Sequence, residues 1–311
     1  MYDVIALGEL LVDLAERAKD ENGYPTLAAN PGGAPGNFLA ALSAYGKKTA
    51  FLAKVGDDTF GHLLTGTMRR AGIDTRGILI SPETFTTLAF VTFDAHGDRS
   101  FAFARKPGAD TQLRFDELDL SLIDETRVFH FGTLSLTGEP ARTTTYRAVE
   151  YAKAHGKLVT YDPNLRKPLW NDLNEAKEQM LWGLRQANVV KISDEEVEFL
   201  FGLGVQDGAQ YILDHYPVKL VFVTCGADGC WFQNRNAGGH VDSLKDIKVV
   251  DTTGAGDIFG GSAVWKLLQT GKRPEDLDEA ELTQIVSFAC RAAGLSTTKH
   301  GGISSVPDSI S

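Results

Sequence analysis

Short apolar segments alternate with longer segments of helical periodicity along most of the chain. Six of the apolar segments are continuously hydrophobic rather than alternating, which predicts strands that are covered on both faces. They are YDVIALG, TAFLAKVG, RVFHFGTLSL, KLVTYDPN, NVVKIS and KLVFVTCG. Several helical segments between them end in glycine, as helices commonly do. The pattern predicts an α/β fold with three layers, built on a doubly wound, mostly parallel sheet.

Two segments do not follow this alternation of apolar and helical segments, at about residues 14–31 and about residues 78–105. Their composition and alternation predict antiparallel strands, with a turn at Ala95-His96-Gly97-Asp98 in the second segment. We expect the two segments to form a small β lid. The chain shows no internal repeat and no Pro/Gly/Ser-rich linker, so we expect a single domain that covers residues 1–311.

Composition excludes several classes of function. The chain has 311 residues, of which 43% are hydrophobic and 23% charged, and its net charge of −10 disfavours a nucleic-acid surface. No run of 18 apolar residues is present and the first residues do not resemble a signal peptide, so neither a membrane span nor a leader is expected. Three cysteines and seven histidines lack the spacing of a disulfide framework or a zinc site. We expect a cytoplasmic protein.

Polar residues follow the predicted strands, where ligands bind in an open parallel sheet. Each of them also has a purely structural interpretation. Gly32 and Gly33 fit a turn, the DPN segment at residues 162–164 fits an Asx turn, and Ser193 with Glu196 fits a helix N-cap with a capping box. The residues alone leave these alternatives open.

The stretch DTTGAGDIFG, residues 251–260, carries the strongest chemical signal. Its glycines are one residue too far apart for the dinucleotide fingerprint, and no G-x-x-x-x-G-K-[ST] loop occurs in the sequence. Gly254, Ala255 and Gly256 leave backbone N–H groups accessible at the start of a helical segment, where the helix dipole favours an anion. Asp257 would repel a phosphate bound there, so we interpret it as a base that takes a proton from an attacking hydroxyl.

Two long segments resemble the signatures of the ribokinase-like (PfkB) carbohydrate kinases. GGAPGNFLAALSAYG resembles the N-terminal signature and DTTGAGDIFGG the C-terminal one, and the resemblance extends from ALGELLVD to GGISSVP. It implies a βαβ sandwich whose β lid closes over a sugar, with ATP and Mg²⁺ as cosubstrate and cofactor. Members of the family often pair through the lid, so we also expect a homodimer.

The resemblance implies a role for each matching residue. Asp257 matches the catalytic base, and Gly254, Ala255 and Gly256 match the anion hole. The residues expected to contact or enclose the sugar are Asp13, Gly32, Gly33, Asn37, Phe101, Phe103, Arg105, Asn164 and Arg166. The residues expected at the nucleotide are Lys191, Ser193, Thr224, Gly226, Gly229, Gly254 and Gly256.

The resemblance also implies two cation sites. Glu196 matches the acid linked to the positioning of Mg²⁺ and phosphate, although Ser193 stands where many members have Asn. Residues that match a site for a monovalent cation such as K⁺ are Asp251, Thr253, Ser296, Lys299, Gly301 and Ser305.

Within the family, the segments RSFAFARKPGAD, FHFGTLSL, DPNLRKPLW and VKISDEE look most like fructokinases. We therefore expect transfer of the γ-phosphate of ATP to the primary 6-hydroxyl of fructose, which gives fructose 6-phosphate. Aminoimidazole riboside kinases and 2-keto-3-deoxygluconate kinases share much of this pattern and stay alternatives. A sugar sensor that keeps the fold without catalysis is an alternative of another class.

Overall fold

The computed structural model describes the backbone of residues 1–93 and 99–307. It describes the side chains of the same residues except those of residues 92–101. Its strands are β1 Tyr2–Leu7, β2 Leu11–Lys19, β3 Pro25–Gly32, β4 Thr49–Gly56, β5 Ile73–Asp74, β6 Ile78–Ser81, β7 Leu88–Phe93, β8 Arg99–Ala104, β9 Thr126–Gly132, β10 Leu158–Asp162, β11 Val189–Ser193, β12 Leu220–Thr224, β13 Cys230–Asn234 and β14 Gly238–Val241. Its helices are α1 Ala34–Ala44, α2 Thr59–Arg70, α3 Leu120–Asp124, α4 Ala141–Ala154, α5 Leu173–Gln186, α6 Asp194–Phe201, α7 Val205–His215, α8 Ala255–Thr270 and α9 Glu279–Ser296.

The large sheet confirms the predicted α/β fold. Its strand order is β14-β13-β12-β11-β10-β9-β1-β4-β5, and β6 also pairs with β4. The six strands predicted from apolar runs are mutually parallel in it, whereas β13 and β14 add an antiparallel edge. The chain reverses direction at this edge because short turns join β12, β13 and β14.

Helices cover both faces of the large sheet, which is why its strands are apolar on both sides. In β1, Ile5 and Leu7 face a core formed with α4 to α7, whereas Val4 and Ala6 face a core formed with α1, α2 and α8. A further cluster joins α8 and α9 to β12 and β13. Helices α7 and α9 belong to these layers although the sequence patterns discussed above do not single them out. In the described part of the chain, no helix is both long enough and apolar enough to span a bilayer.

A separate four-stranded sheet has the order β3-β2-β7-β8. β2 is antiparallel to β3 and parallel to β7, and β7 is antiparallel to β8. This sheet corresponds to the predicted lid, but residues 78–81 do not belong to it. They form β6, which lies parallel to β4 in the large sheet. The predicted turn at residues 95–98 lies outside the described residues.

Glycines end several helices, as the sequence predicts. Gly46, Gly72 and Gly156, which close helical segments, all have positive φ angles of 69° to 81°. The thiols of Cys225, Cys230 and Cys290 are free. The side chain of His130 is buried and pairs with the Thr160 hydroxyl at 3.0 Å, so this histidine is a satisfied core residue.

Gly183 in α5 shows how closely helices approach the sheet. A Cβ atom at this position would overlap the ring of Tyr161, which is fully buried in β10. Gly66 in α2 differs, because a Cβ there would meet only the end of the Arg70 side chain, at 3.3 Å. Alanine therefore fits the second position and not the first.

We predict that Gly183→Ala lowers the free energy of unfolding although alanine is the better helix former. Overpacking typically costs about 1–3 kcal/mol, whereas the gain in helix propensity is about 1 kcal/mol. Gly66→Ala is the matched control and should raise the free energy of unfolding by up to about 1 kcal/mol. Urea denaturation of both variants measures the difference. A Gly183→Ala protein as stable as the wild type would contradict the packing described.

Candidate active site

A cavity of about 340 Å³ opens beyond the carboxyl ends of the strands, beside the four-stranded sheet. Nine residues predicted from the sequence line it: Asp13, Gly33, Asn37, Phe103, Asn164, Arg166, Thr253, Gly254 and Asp257. They come from β2, α1, β8, the segment after β10 and the start of α8. The chain thus brings residues that are up to 244 positions apart, Asp13 and Asp257, to one concave site.

Asp257 occupies the first turn of α8. Gly254 precedes the helix with a φ angle of 77°, a conformation that favours glycine, and the helix begins at Ala255. The first N–H groups of a helix have no partner within it, so this end is electropositive and suited to an anion. The carboxylate of Asp257 is 8% exposed and accepts a hydrogen bond of 2.8 Å from Asn37 Nδ2.

Close packing of α1 against α8 makes this hydrogen bond possible. A Cβ atom on Gly261 would overlap the carbonyl oxygen of Phe38, and one on Gly260 would touch the Phe38 ring at 3.5 Å. The two glycines therefore let α8 approach α1. The other amide atom, Asn37 Oδ1, is buried without a hydrogen-bond partner and lies beside Gly302, where a Cβ atom would overlap it.

The cavity concentrates carboxylates away from water. Burial raises the pKa of Glu9 to about 7 and that of Asp13 to about 6. Burial also raises the pKa of Asp257, against the opposing effects of the Asn37 hydrogen bond and the charges of Lys191 and Arg166. A carboxylate whose pKa is raised toward neutrality is a better proton acceptor, which suits Asp257 to general base work.

Glu9 is a site residue that the motifs do not single out. Its Oε1 atom accepts a hydrogen bond of 3.0 Å from the N–H of Ala34, at the start of α1. Gly33 precedes it with a φ angle of 112° and packs so closely on the Glu9 backbone that a Cβ would overlap the carbonyl oxygen. The available signal was the position of Glu9, an acid directly after an apolar strand.

Two carboxylates hold the segment after β10 in place, because their oxygens accept hydrogen bonds from backbone N–H groups. Asp162 Oδ1 accepts from the Asn164 N–H at 3.1 Å, the predicted Asx turn. Glu196 Oε1 accepts from the Leu165 N–H at 2.7 Å, and Oε2 accepts from the Ser193 N–H at 2.9 Å. The structural interpretation of Ser193 and Glu196 as a capping box is thus confirmed. Glu196 is 7% exposed and ties α6 to the loop that carries Asn164.

Comparison with known proteins identifies the family of the chain. The model of the pfkB family carbohydrate kinases matches residues 1–309. The chain belongs to the pfkB family. A fructokinase-1 from Zea mays is 42% identical over 308 residues, which cover 98% of this chain and 94% of that protein.

Two solved structures have a fold similar to that of this chain. A fructokinase with bound ATP from Xylella fastidiosa has a TM-score of 0.90 at 28% identity, covering 99% of this chain and 96% of that one. A fructokinase from Vibrio cholerae O395, bound to fructose, ADP and calcium ion, has a TM-score of 0.85 at 30% identity, covering 98% and 96%. The protein is therefore a pfkB carbohydrate kinase, and these three relatives are named fructokinases.

Two described residues expected around the sugar of this pfkB kinase, Gly32 and Arg105, do not line the cavity. Gly32 lies behind Asp13, whose carboxylate would overlap a Cβ on the glycine. The side chain of Phe101 lies outside the described residues. Arg105 is turned away from the cavity, because its guanidinium donates to Asp110 at 2.6 and 2.8 Å, to Thr137 at 2.7 Å and to the Leu134 carbonyl at 2.9 Å.

The residues expected at the nucleotide lie in three places. Gly254 lines the cavity at the start of α8, next to Gly256. Lys191 and Ser193 lie on β11, whereas Thr224 ends β12. Gly226 and Gly229 have φ angles of 54° and 96° in the turn after Thr224, and a Cβ on Gly229 would overlap the Val241 carbonyl oxygen. This close turn fits the approach of a ligand to the backbone. Lys191 is paired with Asp162 at 3.1 Å.

The residues expected at a monovalent cation divide into two groups. Asp251 accepts from Thr253 N–H at 3.0 Å and from Gly301 N–H at 3.1 Å, which brings these three together. The hydroxyls of Ser296 and Ser305 instead donate to the carbonyls of Ala293 and Gly302, and the Lys299 N–H donates to the Ser296 carbonyl. Among the described residues, no group of three or more His, Cys, Asp or Glu side chains could hold a metal ion.

We predict that Arg105 acts through the fold and not by contact with the sugar. Its side chain is 5% exposed and that of Asp110 is 1% exposed. Arg105→Met would leave Asp110 as a buried unpaired charge, and the free energy of unfolding should fall by about 3–5 kcal/mol. The double variant Arg105→Met/Asp110→Asn should recover part of that loss. Denaturant unfolding and the KM for sugar are the measurements, and a stable single variant with a strongly raised KM would contradict the prediction.

Proposed function

We propose that this kinase transfers the γ-phosphate of ATP to the primary 6-hydroxyl of fructose and releases ADP and fructose 6-phosphate. One observation carries the proposal. The buried carboxylate of Asp257 faces the cavity from the first turn of α8, where N–H groups and the helix dipole favour an anion. Transfer of a phosphoryl group to a hydroxyl requires a base and a phosphate site next to each other.

Asp257, the N–H groups at the start of α8 and Asn37 have different roles in the phosphoryl transfer. Asp257 takes the proton of the 6-hydroxyl as its oxygen attacks the γ-phosphorus, and the bond from that phosphorus to the bridging oxygen of ADP breaks. The N–H groups at the start of α8 stabilise the charge on the transferred group. Asn37 orients Asp257 through the 2.8 Å hydrogen bond that its Nδ2 atom donates.

The nucleotide and Mg²⁺ fit the residues present. The start of α8 supplies backbone donors for phosphates, and the turn at Gly226 leaves open space beside the backbone for the nucleotide. Because the described residues hold no cluster of acids for a metal, Mg²⁺ would bind chiefly through the phosphates, as it does in many kinase sites. There it would neutralise charge on the transferred group.

The charges of the cavity favour a neutral sugar over a sugar acid. Glu9, Asp13 and Asp257 contribute carboxylates to the lining, and Arg166 contributes one guanidinium. Arg105, the other candidate partner for an acid, is occupied by Asp110. A carboxylate such as that of 2-keto-3-deoxygluconate would therefore meet more negative than positive groups, whereas hydroxyls can donate to these oxygens.

Three further expectations belong to this proposal. The group of Asp251, Thr253 and Gly301 supports activation by a monovalent cation such as K⁺. Pairing of two chains through the four-stranded sheet stays a prediction, which the solution mass of a single chain would contradict. A cytoplasmic location also stays a prediction.

We predict that Asp257→Asn lowers turnover by about 10²–10⁴-fold, because a positioned general base contributes an effect of that size. The KM for fructose should change little, since the amide keeps the size and polarity of the side chain. Turnover is measured as ADP released on addition of fructose.

Asp207→Asn is the matched control for this variant. Asp207 is likewise the third residue of a helix, α7, that follows a glycine N-cap, but it is exposed and lies outside the cavity. Its turnover should equal that of the wild type. An Asp257→Asn enzyme within tenfold of wild type would rule out the base.

We also predict that fructose has the highest kcat/KM in a panel with aminoimidazole riboside, ribose, adenosine and 2-keto-3-deoxygluconate. The sugar acid should be among the poorest substrates because of the carboxylates in the cavity. The same coupled assay for ADP measures all five. A better rate with aminoimidazole riboside would replace the fructokinase proposal, and no ADP release with any of them would favour the sugar sensor.

A further inference from the structure

A buried ion pair lies behind the cavity and has no role in the transfer described so far. Lys191 on β11 and Asp162 at the end of β10 face each other, with Nζ 3.1 Å from Oδ2 and 3.3 Å from Oδ1. The two side chains are 13% and 8% exposed, and neither lines the cavity. Burying two charges costs several kcal/mol per ion before their attraction is counted, so this pair calls for an explanation.

The ammonium lies directly against the first turn of α8. A Cβ atom on Gly256 would be 3.0 Å from Lys191 Nζ, so the absence of a side chain at Gly256 admits the lysine. A cation at the N-terminus of a helix is unfavourable on its own, because the helix dipole already makes that end positive. The arrangement therefore needs negative charge nearby, in the protein and in the ligand.

Three carboxylates of the protein supply part of that charge. Burial alone would lower the pKa of Lys191, but Asp162, Glu196 and Asp257 act in the opposite direction and raise it, so the side chain stays an ammonium. Asp162 and Glu196 already accept backbone N–H groups. Lys191 thus joins the carboxylate of Asp257 and the start of α8 in one electrostatic unit.

We propose, on the basis of the kinase function above, that Lys191 is a positioning residue that acts through Gly256 and Asp257 rather than a contact of the nucleotide. Its charge adds to that of the α8 N-terminus where phosphoryl oxygens carry negative charge, and it favours the ionised form of Asp257. Asp162 fixes the ammonium in this place and prevents it from pairing with Asp257 directly.

The test compares Lys191→Met with Lys54→Met. Lys54 is also buried on a strand and paired with an acid, Glu117, at 2.6 Å, but it lies outside the cavity. We expect Lys191→Met to lower kcat about tenfold or more, with the KM values for ATP and fructose within about threefold of wild type. Lys54→Met should keep the wild-type kcat even if it lowers the melting temperature.

The pH dependence of kcat/KM separates positioning from a general loss of stability. The charged groups that face Asp257 are Lys191, Arg166, Asp13 and Asp162. Loss of the Lys191 cation should raise the pKa of Asp257, so the acid limb should move to higher pH, by about one unit. In Lys54→Met the acid limb should not move.

The possible results distinguish the role of Lys191 from the proposed kinase function. An unmoved acid limb with wild-type kcat in folded Lys191→Met, or a tenfold rise in the KM for ATP with kcat kept, would overturn the inference. If the single variant does not fold, Lys191→Met/Asp162→Asn removes both charges and should still lose kcat about tenfold or more; wild-type kcat there also overturns it. Failure of the wild type to release ADP with fructose would instead contradict the proposed function.

Discussion

The hydrogen bond from Asn37 to Asp257 joins two helices across 220 residues of sequence, at the edge of the cavity. It requires α1 and α8 to begin at the same edge of the sheet and to pack almost backbone to backbone. Gly260 and Gly261 permit that approach, and Gly254 provides the turn into α8. The position of Asp257 and the placement of the electropositive helix end beside the cavity depend on this contact.

Burial of carboxylates is the second constraint on the site, and it follows from the first. Packing α1 and α8 so closely removes water from Glu9 and Asp257, and the four-stranded sheet shields Asp13. Water can no longer stabilise these charges, so backbone N–H groups, Asn37, Arg166 and Lys191 do so instead. In a site of this kind burial raises the pKa of each acid, and a proton acceptor with a raised pKa suits proton transfer.

The fold was largely predictable because its signals are local. Continuous apolar runs mark the parallel strands, and glycines mark the helix ends. Helices α7 and α9 and the edge strands β13 and β14 are not among the predicted elements. In α7 the signal was available, because Ala209, Ile212 and Leu213 form one buried apolar face. Residues 78–81 were assigned to the lid because a short β-rich run does not reveal its partner. Residues 78–81 pair with β4 because β4 precedes them in the chain and has an edge available for pairing.

Sequence by itself determined the chemistry of the site: the glycines before Asp257, the acid itself, and the order of the motifs identify a carbohydrate kinase. Tertiary structure alone decided which side chains face the ligand. Arg105 and Glu196 look available in the sequence, yet their polar atoms are used by Asp110 and by the backbone of Ser193 and Leu165. Glu9, by contrast, enters the cavity. The reason is that a motif fixes residue types and spacing, whereas burial and competing hydrogen-bond partners depend on segments far apart in the chain.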